Sequence, residues 1–416
     1  MSRHHITLLG RHMGLVGFGN AISKLLMFVA NIWIANHLLE QGYGIVSVAF
    51  AIVNYLSLVA FSGVDTITTR LAAEADENRL RQLTVHLYAL RLVMCILLIA
   101  VTMIAGICVP GKLGMVLLLY SLSFVPQIFY TVHLFYGAEW SWPVTLYFIG
   151  GRVVYVGLLL VGVSTPGDIY VVPLAFGAAI LVENAFLLGL WLRRMGTGLY
   201  SIRAGISFTL WKAAVPVTFS NAALLLHENA AIVLLYIFAG SSAAGMYNAS
   251  YRLVYIAISL ATLASYVFLA RISRVLKESK TQALHVFRIA CLIAVVLGVC
   301  GSVAGFLLAR PVVELLYVPA FLPSAGLLVL AVWQMAAAPV RVMSFQMLNA
   351  CHRQTAALPL IVAGSIVSVI LISGGIWLRG MNGAVLGTVA GEALLAGLLF
   401  TMANYYAKAE GRGLQC

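Results

Sequence analysis

Long runs of apolar residues, each about as long as a membrane-crossing helix, recur along the whole chain. A helix needs roughly 20 apolar residues to cross the hydrocarbon core of a bilayer, and short polar stretches separate the runs. The pattern predicts an all-α integral membrane protein with about twelve transmembrane helices. The predicted spans cover residues 14–36, 42–62, 83–109, 114–136, 143–163, 171–192, 213–238, 247–270, 286–309, 322–348, 356–378 and 383–407.

The basic residues give these spans an orientation. Short cytoplasmic loops of membrane proteins carry an excess of lysine and arginine. With the N-terminus inside, sixteen of the 25 basic residues fall in cytoplasmic segments, and only Lys112, Arg310 and Arg379 fall in the opposite loops. Both termini are therefore predicted to be cytoplasmic. The first span lacks a small-residue cleavage site, so no removed signal peptide is expected.

A gapless shift of the sequence by 201 residues reveals an internal repeat. It places Phe18-Gly19-Asn20-Ala21 on Phe219-Ser220-Asn221-Ala222, Gly44 on Gly245, and Arg70-Leu71 on Arg271-Ile272. Two lobes of six helices are predicted, residues 1–200 and 201–416, related by a parallel repeat about an axis along the membrane normal. In the last span Gly383, Gly387 and Gly391 recur every four residues, a spacing that favours close helix packing.

Composition narrows the class of protein further. Hydrophobic residues make up 62% of the chain and charged residues only 9%, against roughly 25% charged in soluble domains. The net charge of +12 reflects membrane orientation and contact with anionic lipids, so no nucleic-acid partner is expected. The six cysteines show no spacing typical of a metal site or a disulfide framework, and no metal is predicted.

Two cations within spans are the strongest candidates for substrate binding: Lys24 near the middle of the first span, and Arg252 a little over one turn inside the eighth span from its outer end. Lys24 shares a helix face with Asn20 and Asn31, and Arg252 shares one with Asn248. An ionisable group in hydrocarbon costs roughly 2.5–3.5 kcal/mol on insertion scales and usually faces a cavity. If the two lobes face each other, the two cations would converge on a phosphate or pyrophosphate group.

Other intramembrane charges allow a structural or a functional interpretation. Arg152 and Glu183 form an interhelical ion pair or line the cavity, with Arg152 as a third cation. Asn221 and Glu228 share a face, and Glu228 either couples transport to a cation or pairs with Lys24 or Arg252. The remaining arginines in spans lie nearer the span ends and are expected to extend to the interface: Arg91, Arg288 and Arg341.

Two further features concern the second span and the prolines. Asp65 and Arg70 lie five residues apart and form a local pair or a gate at the cytoplasmic mouth. Pro126, Pro173 and Pro339 interrupt predicted spans and are expected to bend them.

Sequence motifs of common enzymes are absent. Gly111-Lys112 continues with Leu113 rather than the Ser or Thr of a P-loop, and neither HExxH nor GxSxG occurs. The predicted outer loops are too short to hold the catalytic residues of a membrane glycosyltransferase or polymerase. No catalytic residue is therefore assigned, and the protein is not expected to be an enzyme.

Several segments resemble one family. The stretch from Ala35 to Gly44, followed by Gly63, Asp65 and Arg70, resembles the opening pattern of polysaccharide flippases of the multidrug/oligosaccharidyl-lipid/polysaccharide (MOP) exporter superfamily. The segment from Ala244 to Leu253 is similar to the one that opens the eighth span in that family. One departure is Leu39, where the family often has glycine.

The resemblance implies a flippase in the bacterial inner membrane. Its substrate would be a polyprenyl-pyrophosphate-linked oligosaccharide, a repeat unit of O-antigen, capsule or exopolysaccharide, moved by alternating access. Lys24 and Arg252 would bind the pyrophosphate. No cofactor is implied beyond coupling to an H⁺ or Na⁺ gradient, and the polysaccharide polymerase and chain-length machinery are the expected partners.

Three alternatives stay open. The first is an exporter of drugs or of another lipid-linked precursor. The second is a membrane glycosyltransferase, polymerase or ligase. The third is a structural subunit of a synthesis complex, which would tolerate loss of charge at Lys24, Arg152 and Arg252.

Overall fold

The structure, a computed structural model, describes residues 3–196, 204–351 and 353–409, and every regular element in these ranges is helical. The predicted all-α class is therefore confirmed. The predicted lobe boundary between residues 200 and 201, with Arg203 and Arg412, lies outside the described residues. The helices are α1 (Arg3–Ala73), α2 (Glu77–Cys108), α3 (Lys112–Ser121), α4 (Phe124–Gln127), α5 (Val132–Gly137), α6 (Ser141–Gly162), α7 (Val171–Met195), α8 (Ala204–Glu278), α9 (Lys280–Leu316), α10 (Ser324–Ala331), α11 (Gln334–Ala350) and α12 (Gln354–Ala409).

Helix length and surface character identify a multi-pass membrane protein. Among the described residues, eight helices are long and apolar enough to cross a bilayer, or nine if α10 and α11, which meet at 45°, count as one span. In α2 and α9 only 28% and 22% of the most apolar stretch is buried. The remaining apolar surface, including Ile104, Ile107 and Leu297, is exposed, as expected for helices that face lipid.

Three long helices bend at single residues. The bends lie at Leu39 in α1, at Gly240 in α8 and at Gly380 in α12. The hydropathy pattern predicts a connecting loop at each of these positions. The structure instead continues the helix on both sides of one non-helical residue.

The bends in α1 and α8 are related by the 201-residue shift. Leu39 adopts φ 58° and ψ −178°, and Gly240 adopts φ 87° and ψ 178°. Glycine adopts a positive φ at little cost, whereas a residue with a Cβ is strained there. The same local conformation thus recurs at corresponding positions, once with glycine and once with leucine.

The two bend positions are expected to respond oppositely to exchange of their residues. Gly240→Leu should lower the free energy of unfolding by about 1–3 kcal/mol, because it introduces backbone strain. Leu39→Gly should raise it by up to about 1 kcal/mol, since relief of strain outweighs the added freedom of the unfolded chain. Thermal unfolding in detergent measures both changes. Destabilisation by Leu39→Gly as large as that by Gly240→Leu would contradict the assignment of strain.

The chain forms two compact units. The first unit comprises Met1–Leu38 and Ile45–Ala222, and the second comprises Leu39–Gly44 and Ala223–Cys416. The core of the first unit includes Leu87, Phe135 and Trp191. The core of the second unit includes Phe287, Met347 and Leu399. Each unit therefore has apolar packing of its own.

Close backbone contacts in the second unit require glycine. A Cβ at Gly44 would overlap the carbonyl of Ser241, and a Cβ at Gly245 would overlap that of Glu40. Glu40 and Ser241 are themselves related by the 201-residue shift. The segment around Gly44 thus crosses α8 in a reciprocal contact, in which each helix presents its glycine to the other's carbonyl.

The glycine series near the C-terminus packs one half of α12 against the other. A Cβ at Gly383 or Gly387 would overlap the backbone of Gly375 or Ile372, respectively. At Gly391 it would overlap the side chain of Ser368. The predicted packing role of these glycines is confirmed.

The prolines differ in their effects. Pro126 lies in the short helix α4, within a span that is broken between α3 and α5. Pro173 lies in the first turn of α7 and interrupts nothing, because the first N–H groups of a helix have no intrahelical acceptor. Pro339 lies inside α11, whereas the 45° bend falls before it, between α10 and α11. The prediction of a bend at Pro173 is therefore wrong.

Candidate functional site

A cavity of about 350 Å³ with both polar and apolar walls lies within the first unit. Helices α1, α2, α4, α6 and α7 and the turn after α4 contribute its walls. Four of the residues singled out in the sequence line it: Asp65, Arg91, Arg152 and Glu183. The structure thus brings together groups that are far apart in the chain.

Arg152 and Glu183 form one ion pair in the cavity wall. Nη1 of Arg152 lies 3.7 Å from Oε1 of Glu183. The Glu183 side chain is almost fully buried and packs directly on Gly151. Of the two interpretations, the interhelical ion pair is therefore the one that the structure supports, and the positive charge of Arg152 is balanced.

Asp65 forms the second ion pair, with a partner that the sequence did not predict. Its Oδ1 accepts a hydrogen bond from Nη2 of Arg91, and Nδ1 of His133 lies 3.5 Å from the same oxygen. The Arg91 guanidinium also donates to the Gln127 carbonyl at 3.1 Å. It lies 4.8 Å from the ring centroid of Tyr130.

Two sequence predictions are corrected by this arrangement. Asp65 and Arg70 do not form a local pair, since the Arg70 side chain lies 3.8 Å from Glu74 on the surface. Arg91 does not extend to the interface but is only 1% exposed. The Arg91 side chain is buried whereas that of Arg70 is exposed, and opposite charges attract more strongly where water is excluded.

The two pairings predict different costs for removal of a charge. Arg91→Ala should lower the free energy of unfolding by about 3 kcal/mol, because it leaves Asp65 without its cation. Arg70→Ala should change it by less than about 1 kcal/mol, because exposed pairs contribute little. Thermal unfolding of both variants in detergent provides the measurement. Equal stability of the two variants would contradict the Asp65–Arg91 pairing.

A second buried network lies in the second unit. Nε of Arg341 donates to Glu392 at 2.6 Å, and Nη2 donates to Glu228 at 3.1 Å. His227 contacts the other Glu392 oxygen at 2.8 Å through Nε2, and Ser368 Oγ at 2.6 Å through Nδ1. The network links α8, α11 and both halves of α12.

This network also corrects the predicted pairing. Glu228 pairs with Arg341 rather than with Lys24 or Arg252. Arg341 is buried between two carboxylates and does not extend to the interface. Arg288, by contrast, is exposed and donates to the side chain of Asn404.

Lys24 and Arg252 differ from Arg91, Arg152 and Arg341, each of which is paired with a carboxylate. Both are half-buried, and neither has a carboxylate within ion-pair distance in the described part of the chain. Nε of Arg252 is buried without a hydrogen-bond acceptor. These two residues are therefore cations whose charge no described carboxylate balances.

The polar residues predicted beside these cations are placed on the same helices. Asn31 donates to the Met27 carbonyl at 2.6 Å. Asn248 is buried, while Asn20 and Asn221 are half-buried. Lys24 and its neighbours lie in the first unit, whereas Arg252 and Asn248 lie in the second.

Comparison with known proteins identifies the family. Residues 9–276 match the family described as "Polysaccharide biosynthesis protein". The chain belongs to this family. Together with the fold, the match confirms the resemblance to the MOP superfamily. No curated protein sequence matches the chain in direct comparison.

Solved structures with the same fold are membrane transporters. An inward-facing multidrug resistance MATE family transporter of the MOP superfamily is 15% identical, with 95% of this chain and 98% of that chain covered and a TM-score of 0.80. The lipid II flippase MurJ, in an inward closed conformation, is 12% identical, with 93% and 87% covered and a TM-score of 0.77. A MOP superfamily transporter from Pyrococcus furiosus is 15% identical, with 97% and 96% covered and a TM-score of 0.69.

Six residues of the two networks were missed by the sequence-based site prediction. Arg91 and Arg341 were assigned to the interface, and four residues were not named as site residues: His133, His227, Ser368 and Glu392. Glu392 could have been recognised as a lone carboxylate in an otherwise apolar span. Nothing in the local sequence marks His133 as a neighbour of Asp65.

Proposed function

We propose that this member of the polysaccharide biosynthesis protein family is a flippase for polyprenyl-pyrophosphate-linked oligosaccharides. It moves repeat units for O-antigen, capsule or exopolysaccharide across the bacterial inner membrane by alternating access. One observation carries the proposal: Arg91, Arg152 and Arg341 are neutralised by carboxylates, whereas Lys24 and Arg252 are not. An unbalanced intramembrane cation is costly and needs a functional reason.

Lys24 and Arg252 are the groups that bind the pyrophosphate in this proposal. Charge-assisted hydrogen bonds from ammonium and guanidinium groups to phosphate oxygens are about twice as strong as neutral ones. Arg152 belongs to the same substrate pathway but acts with its charge balanced by Glu183. Asn20, Asn31, Asn221 and Asn248 supply neutral polar contacts along the two faces.

The proposed topology has twelve spans with both termini in the cytoplasm. Dividing α1, α8 and α12 at Leu39, Gly240 and Gly380, and joining each broken span, gives two sets of six. The excess of basic residues in the predicted cytoplasmic segments favours this orientation. Solved structures of a multidrug MATE transporter in inward-facing and outward-facing conformations support alternating access in this fold.

An H⁺ or Na⁺ gradient is the proposed energy source, with Glu183 and Glu228 as coupling carboxylates. Each already binds an arginine, so cation binding at either carboxylate would compete with that ion pair. Asp65 remains the proposed gating residue, now with Arg91 rather than Arg70 as its partner. The polymerase and chain-length machinery are the proposed partners.

A drug exporter is the second candidate, because two of the compared structures of this fold are described as a multidrug resistance MATE family transporter. Deletion of the gene in its own organism separates the candidates. The flippase predicts loss of surface polysaccharide and accumulation of lipid-linked repeat units on the cytoplasmic side. Normal polysaccharide combined with increased sensitivity to drugs would instead identify an exporter.

A further inference from the structure

The charges in the wall of the first unit's cavity cancel. Asp65 is paired with Arg91, and Arg152 with Glu183. A phosphate group entering this cavity would meet two carboxylates, and each of the two arginines in the wall is already paired with one of them. The described residues also bring together no three side chains of metal-binding type. The cavity is thus suited to a neutral polar ligand.

Five residues of the cavity wall bury polar atoms that have no hydrogen-bond partner, and Asn184 is the one amide among them. Asn184 is 1% exposed, and neither its amide nitrogen nor its amide oxygen has a partner within the protein. Leaving such a group unsatisfied costs about 1–3 kcal/mol. The amide of Asn184 has a donor NH₂ group beside an acceptor oxygen. A sugar hydroxyl both donates and accepts hydrogen bonds, so it can pair with either group.

The remaining wall combines aromatic rings with polar groups. Phe61, Phe176 and Tyr130 contribute ring surface, while Ser57 and Gln127 contribute polar atoms. Sugar rings carry hydroxyl groups at their edges and C–H groups on their faces, so they match amides and aromatic rings together. The volume of about 350 Å³ lies at the lower end of the range of roughly 300–1,000 Å³ for small-molecule sites.

From this chemistry we infer that the cavity of the first unit is a carbohydrate subsite, which binds an uncharged sugar of the transported glycan through Asn184. The inference rests on the proposed function and adds that two parts of the substrate bind at two different places. The pyrophosphate binds to Lys24 and Arg252, and a sugar residue binds in the charge-balanced cavity.

Binding of two probes to the purified full-length protein in nanodiscs tests the inference. The probes are bare C55 polyprenyl pyrophosphate and the lipid-linked oligosaccharide extracted from the organism that encodes the chain. Wild-type protein should bind the glycan-bearing lipid about tenfold more tightly, a ratio that one or two satisfied buried hydrogen bonds provide. Asn184→Leu should lose this preference and keep its affinity for the bare lipid. The control Asn349→Leu, outside the cavity, should retain the preference.

The outcomes separate the subsite from the proposed function. Equal binding of both lipids by the wild type, or an unchanged preference in Asn184→Leu, would overturn the subsite and leave the flippase proposal intact. Binding of neither lipid would overturn both. If Asn184→Leu does not fold, Ser57→Cys provides the test through maleimide labelling. Protection by the glycan-bearing lipid alone supports the subsite, and equal protection by both lipids contradicts it.

Discussion

Arg341→Ala is expected to lower the free energy of unfolding by about 3–5 kcal/mol, the range for breaking a buried ion pair by removing one partner. The substitution leaves Glu228 and Glu392 close together without the guanidinium that lies between them. The substitution also removes the hydrogen bonds from α11 to Glu228 of α8 and Glu392 of α12. The yield of monodisperse protein and its unfolding temperature in detergent measure the effect.

Two control substitutions test whether the loss of stability comes from breaking a buried ion pair. Arg288→Ala removes an exposed arginine and should change stability by less than about 1 kcal/mol. Replacing Arg341, Glu228 and Glu392 together by apolar residues of similar size should recover much of the lost stability, because no unpaired charge remains. If Arg341→Ala were as stable as Arg288→Ala, Arg341 would have to lie at the membrane interface.

Lys24→Ala and Arg252→Ala are each expected to abolish surface polysaccharide while the protein level stays unchanged. Neither residue is bound to a carboxylate in the described structure, so its removal leaves no orphaned partner. Each lost hydrogen bond from a charged group to phosphate costs about 1.5–3 kcal/mol of binding. Complementation of a deletion strain, with immunoblotting of the membrane fraction, measures both quantities.

Arg379→Ala is the matched control, because Arg379 is an exposed basic residue beside the bend in α12. It should complement fully. Normal polysaccharide in both Lys24→Ala and Arg252→Ala would refute their role in substrate binding and would favour a structural subunit.

The hydropathy pattern predicted the helices and the positions of their bends because both follow from local sequence. A helix crosses a membrane only where apolar residues continue for its full length, and Leu39, Gly240 and Gly380 fall in the short intervals between such runs. Leu39 and Gly240 occupy positions that the shift of 201 residues relates. Bends at these positions were expected as loops, since hydropathy alone does not distinguish a loop from a one-residue bend.

The partners of buried charges were not predictable in the same way. Asp65 has Arg70 one turn away, yet it binds Arg91 on another helix. Glu228 and Arg341 are 113 residues apart. Spacing along the sequence identifies possible partners only within one helix. The actual partner of a charge depends on which helices pack together and on how deeply each charge is buried.

Asn184 was not singled out in the sequence, although it lies next to Glu183. The sequence drew attention to the adjacent Glu183 because a carboxylate in a span is conspicuous. An asparagine in a span carries no charge, and its lack of hydrogen-bond partners is visible only once the cavity is known.

Transport by the purified protein in liposomes tests the central claim most directly. The lipid-linked oligosaccharide of the encoding organism is incorporated, and its accessibility to a glycan-cleaving or glycan-binding reagent outside the vesicles is followed over time. Wild-type protein should expose the inner-leaflet pool, and the Lys24→Ala and Arg252→Ala variants should leave it protected. Protection of that pool in vesicles containing correctly folded wild-type protein, with the predicted cation gradient applied, would contradict the assignment of a flippase.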